Sequence, residues 1–184
     1  MKKYIHLTLV LFIIAFLSGF LMGVVNDLTK GPIAEAQARK LANGVQEIFK
    51  EVNLDALKDE NNTVKLDDKT LIEYYLIYND DEELIGYVFY VDAPNAYKAI
   101  QFIVGIDING KVRGLSYLNV EETPGLGTKV KGDSFKEDFV GKDNVSNVDI
   151  ISGATKSSNA VKNGVQRALD YFNKNLKGGT NNEQ

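Results

Sequence analysis

A short run in the second half of the chain combines small residues and hydroxyl groups at the predicted start of a helix. Ser152-Gly153-Ala154-Thr155 begins three residues after Asp149, and Lys156 follows it directly. Backbone N–H groups in the first turn of a helix lack intrahelical partners and lie at the positive end of the helix dipole, which suits a phosphate. Ser and Thr are also preferred N-caps, so on spacing alone an ordinary capped helix start is the stronger interpretation.

A second motif, Glu122-Thr123-Pro124-Gly125-Leu126-Gly127, lies about thirty residues earlier in the chain. Proline followed by glycine favours a turn, and the second glycine permits a conformation or a close approach that a side chain would block. A flat ligand often needs bare backbone of this kind against one face. Composition alone nevertheless favours a plain connection after the strand that is predicted to end at Asn119.

Composition excludes several kinds of chemistry. The 184 residues carry a net charge of -4 with a pI near 5.1, which argues against nucleic-acid binding. The absence of cysteine excludes disulfides, thiolate-held iron–sulfur clusters, a cysteine nucleophile and a lipobox-type lipid anchor. The one histidine, His6, lies in the first apolar segment, so we expect no metal site. Any redox chemistry therefore needs an organic cofactor.

The first apolar segment, residues 4–25, predicts a transmembrane anchor. It contains no charged residue and meets the length of about 20 residues that a spanning helix requires. A cleaved signal peptide, with an apolar core of about 7–15 residues, is the weaker alternative. Lys2 and Lys3 precede the segment and favour a cytoplasmic N-terminus for residues 1–3, which places everything after the anchor on the outer side.

Residues 26–176 are predicted to form one α+β domain, an antiparallel sheet flanked by helices. Thr29-Lys30-Gly31-Pro32 is typical of a helix start, and the apolar face that follows includes Val45, Ile48 and Phe49. Residues 53–69 are polar and predict a loop. Strand-like runs follow at residues 70–78, 85–91, 100–106 and 112–119, and their short connections imply antiparallel pairing.

A final helix is predicted from near Thr155, with an apolar stripe formed by Val161, Val165, Ala168, Leu169 and Phe172. Residues 177–184 are rich in Gly, Asn and Thr and predict a flexible tail. We interpret the tyrosines of the strand region as sheet packing, because aromatic residues are common in strands; they are at positions 74, 75, 78, 87, 90 and 97.

Both motifs resemble those of the FMN-binding domain family, which includes the G subunit of the Rnf electron-transport complex and the C subunit of the sodium-translocating NADH:quinone reductase. The run ending at Thr155 is similar to the family's flavinylation motif, and the run from Glu122 to Gly127 is similar to its Glu-Thr-Pro-Gly-Leu-Gly loop. The resemblance covers the whole outer domain and the layout of one anchor before it. The short length and simple tail are more similar to the Rnf protein.

The resemblance implies FMN joined through a phosphoester to Thr155, with Ser152, Gly153 and Ala154 forming the attachment motif. It implies that Glu122 and Thr123 shape the pocket, and that Gly125, Leu126 and Gly127 lie against the flavin ring. A dedicated flavin transferase would make the bond, and the partners would be the other membrane subunits of an Rnf-type complex. We expect no catalytic residues and no complete catalytic site on this chain alone.

The resemblance implies that the chain is an electron-carrier subunit, with covalently bound FMN, of a membrane-bound, ion-translocating oxidoreductase complex of the Rnf type. Two alternatives to this function remain. One is a free-standing, membrane-anchored extracytoplasmic flavoprotein reductase, which would turn over a soluble acceptor without a membrane complex. The other is a non-redox interaction module, in which Ser152 to Thr155 merely begin a helix and the purified protein is colourless. Asp149 could position the motif or serve the transferase, and the sequence does not separate these roles.

Overall fold

The computed structural model describes residues 2–177, and most of the predicted flexible tail (177–184) lies outside them, as does Met1. The chain divides into two compact units, one ending at Arg39 and one beginning at Lys40. The first helix, α1 (Lys2–Ile48), supplies the first unit and the opening residues of the second.

In the first unit, α1 exposes a long apolar surface. The rings of Phe12, Phe16 and Phe20 stack along it with centroids 6.2 and 6.3 Å apart. Within residues 2–177, α1 is the one helix that is long and apolar enough to cross a membrane, although a signal sequence would meet the same criterion. This helix is compatible with the single-pass anchor predicted for residues 4–25.

The predicted helix start at Thr29 is wrong, because α1 continues through Thr29 and Pro32. The Thr29 hydroxyl donates a hydrogen bond back to the carbonyl of Val25, at 2.9 Å, instead of capping a new helix. Proline removes its own N–H donor and crowds the preceding turn, at a cost of about 3 kcal/mol, but it does not forbid a helix. A local start signal is therefore overridden by the helical residues on both sides of it.

The second unit contains a five-stranded antiparallel sheet whose strands are adjacent in chain order. The four predicted strands are confirmed as β2 to β5. The loop predicted for residues 53–69 is wrong in part, because it contains a further strand, β1. The strands are β1 (Thr63–Lys65), β2 (Leu71–Tyr78), β3 (Leu84–Asp92), β4 (Ile100–Asp107) and β5 (Val112–Val120). This arrangement confirms the α+β fold class. A five-residue 3-10 helix (Gly127–Lys131) and a short helix, α2 (Asp133–Glu137), follow β5.

One face of the sheet is covered by the last helix, α3 (Thr155–Asn175). The predicted apolar stripe is confirmed, since all five of its side chains are buried in the core between α3 and the sheet. Gly164 lets the helix approach closely, because a Cβ atom there would lie 2.8 Å from Cγ1 of Val91. The close approach fixes α3, and with it Thr155, relative to the strands.

The other face of the sheet carries a second core. Val45 and Ile48 from the end of α1, and Phe49 just after it, are buried against this face, as their predicted apolar pattern required. The Phe49 ring occupies space left by two glycines, because a Cβ atom on Gly86 or on Gly105 would lie 2.7 Å from ring atoms of Phe49. Both faces of the sheet are thus packed, which leaves the ends of the strands as the place for a site.

Candidate functional site

A cleft of about 570 Å³ lies where three segments of the second unit meet. The segments are the connection between β3 and β4, the loop after β5 and the first two turns of α3. Its volume falls within the range of about 300–1,000 Å³ that is usual for ligand pockets. The fold therefore brings together the two motifs that are about thirty residues apart in the sequence.

Seven of the nine residues predicted to contact a cofactor line this cleft, and they are Glu122, Thr123, Leu126, Gly127, Gly153, Ala154 and Thr155. The other two, Ser152 and Gly125, lie beside the lining and do not form part of it. Asp149 is exposed and does not line the cleft. Asn159, Ala160 and Asn163 of α3 line it as well, and nothing in the sequence singled them out beyond their place in the helix.

Thr155 is the first residue of α3, and it is exposed at the cleft. The N-cap position belongs to Ala154, which offers no side-chain hydrogen bond. The interpretation of the motif as a capped helix start therefore finds no cap in the structure. Gly153 precedes the helix with φ +78°, a conformation that residues with a Cβ atom rarely adopt. The first-turn N–H groups of α3 thus remain available at the cleft.

Side chains of α3 hold the segment that leads to Thr155. Lys162 Nζ donates to the carbonyl oxygens of Ser146 and Val148, at 2.6 and 2.8 Å. Ser158, which is fully buried, accepts the N–H of Ile151 at 3.2 Å and donates to the carbonyl of Ala154 at 2.9 Å. The segment that precedes Thr155 is therefore held in place by α3, the helix that begins at Thr155.

Glu122 joins the two loops of the cleft. Its side chain is buried, and Oε1 accepts the backbone N–H of Tyr97 at 3.0 Å and that of Lys98 at 3.4 Å. Hydrogen bonds from backbone N–H groups are what stabilise a buried carboxylate. The loop after β5 and the connection before β4 are consequently held together by one side chain.

Gly127 is a close-approach position. A Cβ atom there would lie 2.7 Å from Cβ and from Oε2 of Glu122, and 2.8 Å from Oγ of Ser157. Only glycine fits between the loop and α3 without a shift. Gly125, by contrast, has φ +75° and open space around it, and its N–H donates to Thr128 Oγ1 at 2.9 Å. One glycine of the motif makes the contact with α3, and the other makes the turn.

The interpretation of Tyr97 as a sheet-packing residue is wrong. Tyr97 lies between β3 and β4, is 74% exposed and lines the cleft. Its ring is covered by the ammonium group of Lys156, whose Nζ lies 3.9 Å from the ring centroid. The neighbouring turn residues Pro94 and Asn95 could have separated it from the strand tyrosines.

A second cation lies beside the attachment motif. Lys129 Nζ is 3.7 Å from the position that a Cβ atom on Gly153 would occupy. Together with the start of α3, this ammonium group makes the rim suitable for an anion. Within residues 2–177, no three carboxylate or imidazole groups are placed to hold a metal ion. The rim of the cleft is therefore suited to an anionic group.

Comparison with known proteins agrees with this chemistry. The FMN-binding domain family matches residues 97–170. This range contains the cleft residues from Tyr97 to Asn163 and leaves out Pro94 and Asn95. The crystal structure of NqrC from Shewanella oneidensis aligns with a TM-score of 0.42 and 18% identity over 64% of this chain and 66% of that chain, a likeness too low to support an argument.

Curated relatives match over nearly the whole chain. The G subunit of the ion-translocating oxidoreductase complex of Shewanella loihica is 30% identical over 88% of this chain and 85% of its own length. The corresponding G subunit of Photorhabdus laumondii is 30% identical over 87% and 86%. The G subunit of the Na⁺-translocating ferredoxin:NAD⁺ oxidoreductase complex of Acetobacterium woodii is 26% identical over 93% and 92%. The chain therefore belongs to the FMN-binding domain family, among the G subunits of ion-translocating oxidoreductase complexes.

Proposed function

We propose that this protein is the electron-carrier subunit of a membrane-bound, ion-translocating oxidoreductase complex of the Rnf type, and that it carries FMN joined covalently to Thr155. The observation that supports this most is the convergence of both motifs on one cleft, with the Thr155 hydroxyl exposed at its edge. FMN supplies the redox chemistry when bound, while the protein supplies position and tuning.

The cleft residues fit such a group. Gly153 leaves bare backbone at the edge of the cleft, and the exposed Leu126 offers an apolar contact for a flat ring. At the start of α3, first-turn N–H groups and the ammonium of Lys129 would receive a phosphate beside Thr155. The buried Glu122 would keep the loop in place with or without the cofactor.

The attachment step requires an activated donor and a separate enzyme. A bond forms between Thr155 Oγ1 and the phosphorus of the flavin nucleotide, and a phosphoanhydride bond of the donor breaks, which releases a second nucleotide. The hydroxyl proton must pass to a base, because an unactivated threonine is a weak nucleophile. The one histidine of the chain is in the apolar segment, so we assign this base to a flavin transferase.

In-gel fluorescence tests the covalent link. The full chain is coexpressed with a flavin transferase, denatured and viewed under ultraviolet light. We expect a fluorescent band for the native chain and for Thr155→Ser, which keeps the hydroxyl, and none for Thr155→Ala. A dark native band contradicts covalent attachment, and a fluorescent Thr155→Ala band moves it to another residue.

We further propose that the cleft faces the extracytoplasmic side, since Lys2 and Lys3 favour a cytoplasmic N-terminus. The chain has no cysteine, so a single introduced one reports its own side of the membrane. In intact cells, a membrane-impermeant maleimide should label Asn109→Cys, which is in the exposed turn between β4 and β5. Labelling that appears only after the cells are opened would place the domain in the cytoplasm.

Membership of a complex has its own test. Purification of the tagged chain under mild detergent should recover other membrane subunits together with it. Recovery of the chain alone, with turnover of a soluble acceptor, would instead support a free-standing reductase.

A further inference from the structure

We propose that Tyr97 is a flavin-contact residue, whose phenol ring stacks on the isoalloxazine ring of FMN held at Thr155 and quenches its fluorescence. The inference rests on the proposed function and adds a residue of this chain to it. The quenching step is a transfer of one electron from the phenol to the light-excited flavin, and the electron returns to the phenol afterwards, so no net reaction occurs.

The position of Tyr97 supports this role. Its backbone N–H is bound by the buried carboxylate of Glu122 at 3.0 Å, so the residue is fixed at the cleft. Its ring, by contrast, is not packed into either core and is 74% exposed. A large ring on a fixed backbone at the edge of a cleft is suited to contact a ligand there.

Tyr97 is also distinguished by its chemistry. Of the side chains that line the cleft, it is the one aromatic ring among the residues the structure describes. The chain contains no tryptophan, so tyrosines are its most readily oxidised rings. Other tyrosines, such as Tyr74 and Tyr87, pack with one another inside the core between the sheet and α3.

Lys156 covers one face of the Tyr97 ring, and the other face is left for a ligand. Its ammonium group lies over the ring at 3.9 Å from the centroid, which covers one face. The high exposure of the ring means that the protein leaves the opposite face open. Lys156 directly follows Thr155 in α3, so the open ring and the attachment hydroxyl are at the same end of the cleft. Aromatic pairs prefer an offset stack with centroids about 4.5–7 Å apart, which is the contact proposed for the open face of the ring.

The test compares the fluorescence yield and lifetime of the loaded full chain in detergent, with each sample normalised to the same chain after denaturation. Tyr97→Phe keeps an aromatic ring but removes the oxidisable phenol, and Tyr97→Leu removes the ring. Tyr78→Phe is the matched control, because Tyr78 ends β2 and does not line the cleft.

We expect the native chain and Tyr78→Phe to be strongly quenched, and Tyr97→Phe to be several-fold brighter with a longer lifetime. The visible circular dichroism of the flavin should be kept in Tyr97→Phe and weakened in Tyr97→Leu, since only the latter loses the stack. Equal yields in the native chain and Tyr97→Phe, at equal flavin content, would overturn the proposal.

Failure of the covalent link is distinguishable from failure of the stack. If the denatured native band is dark, free FMN is titrated into the native chain and into Tyr97→Phe. Quenching by the native chain alone would still support the contact, whereas equal quenching by both would overturn it.

Discussion

Replacement of Gly127 by alanine tests whether the loop after β5 is held against α3 as closely as the structure shows. The new methyl group would lie 2.7 Å from Cβ of Glu122, an atom next to the backbone that cannot move alone, and 2.8 Å from Oγ of Ser157. Overpacking of this kind costs about 1–3 kcal/mol. Because Glu122 also binds the N–H of Tyr97, the shift should spread across the cleft.

Gly114→Ala is the matched control for Gly127→Ala. A Cβ atom on Gly114 would meet Ile48 at 3.4–3.8 Å, which is ordinary contact. Both substitutions lower the conformational entropy of the unfolded chain by a similar amount, which is worth about 0.4–1 kcal/mol of stability. The difference in stability between the two variants therefore isolates the clash. At about 2–4 °C per kcal/mol for a chain of this size, Gly127→Ala should melt about 2–12 °C below Gly114→Ala.

Thermal unfolding and flavin content are measured on both variants after coexpression with the transferase. Gly127→Ala should carry less FMN than Gly114→Ala, because its cleft is distorted and not only because its fold is weaker. Equal melting temperatures together with equal flavin content would refute the view that Gly127 holds the loop against α3.

Other contacts of the second unit can be tested in the same way. Phe49→Ala should lower the free energy of unfolding of the second unit by about 3–5 kcal/mol in urea, because it leaves a cavity beside Gly86 and Gly105. A decrease of less than about 1 kcal/mol would contradict that packing. Lys129→Gln should load FMN about two- to fivefold more slowly than Lys131→Gln, which is the factor expected for the loss of an exposed ion pair. The loading rates are measured as a time course of band fluorescence. Equal rates would exclude Lys129 from phosphate binding. The guanidinium of the α3 residue Arg167 holds the pKa of the Asp68 carboxyl below its ordinary value. The pair therefore stabilises the fold at a pH above the ordinary pKa, and this stabilisation is lost as the pH falls through the lowered pKa. In acid titrations of unfolding, Asp68→Asn should consequently lose less stability than the native chain as the pH is lowered from neutral.

Much of the fold could be predicted from periodicity, and the misses have physical causes. The strands β2 to β5 and the stripe of α3 were predicted because each buries an apolar face of its own. β1 was missed because Thr63-Val64-Lys65 has no such face, and the strand forms by pairing with residues 73–75 of β2. The helix start predicted at Thr29 is wrong because a start signal is local, whereas α1 runs from Lys2 to Ile48 with Pro32 inside it.

The candidate site residues could not be selected from periodicity or spacing. Turn and helix-start residues alone favour a plain connection and an ordinary helix start, and the family resemblance is what selects Glu122, Gly127 and Thr155. Their meeting in one cleft depends on how α3 crosses the sheet, which no spacing in the sequence encodes. Tyr97 was misassigned because nearby strands are rich in tyrosine, although the turn residues Pro94 and Asn95 beside it and its exposure both separate it from them.

The exposure of Thr155 at the cleft has a consequence for how firmly a cofactor joined to it, as proposed, must be held by the rest of the protein. A covalent tether turns binding into an intramolecular event with an effective concentration on the order of millimolar. A pocket of millimolar affinity is then filled about half of the time. Stacking on one ring stabilises the bound state by only about 0.5–1.5 kcal/mol more. The protein therefore has no need of a tight, closed pocket. If FMN is joined to Thr155 as proposed, its ring can leave the contact with Tyr97 and approach a redox partner on each turnover without diffusing away from the protein.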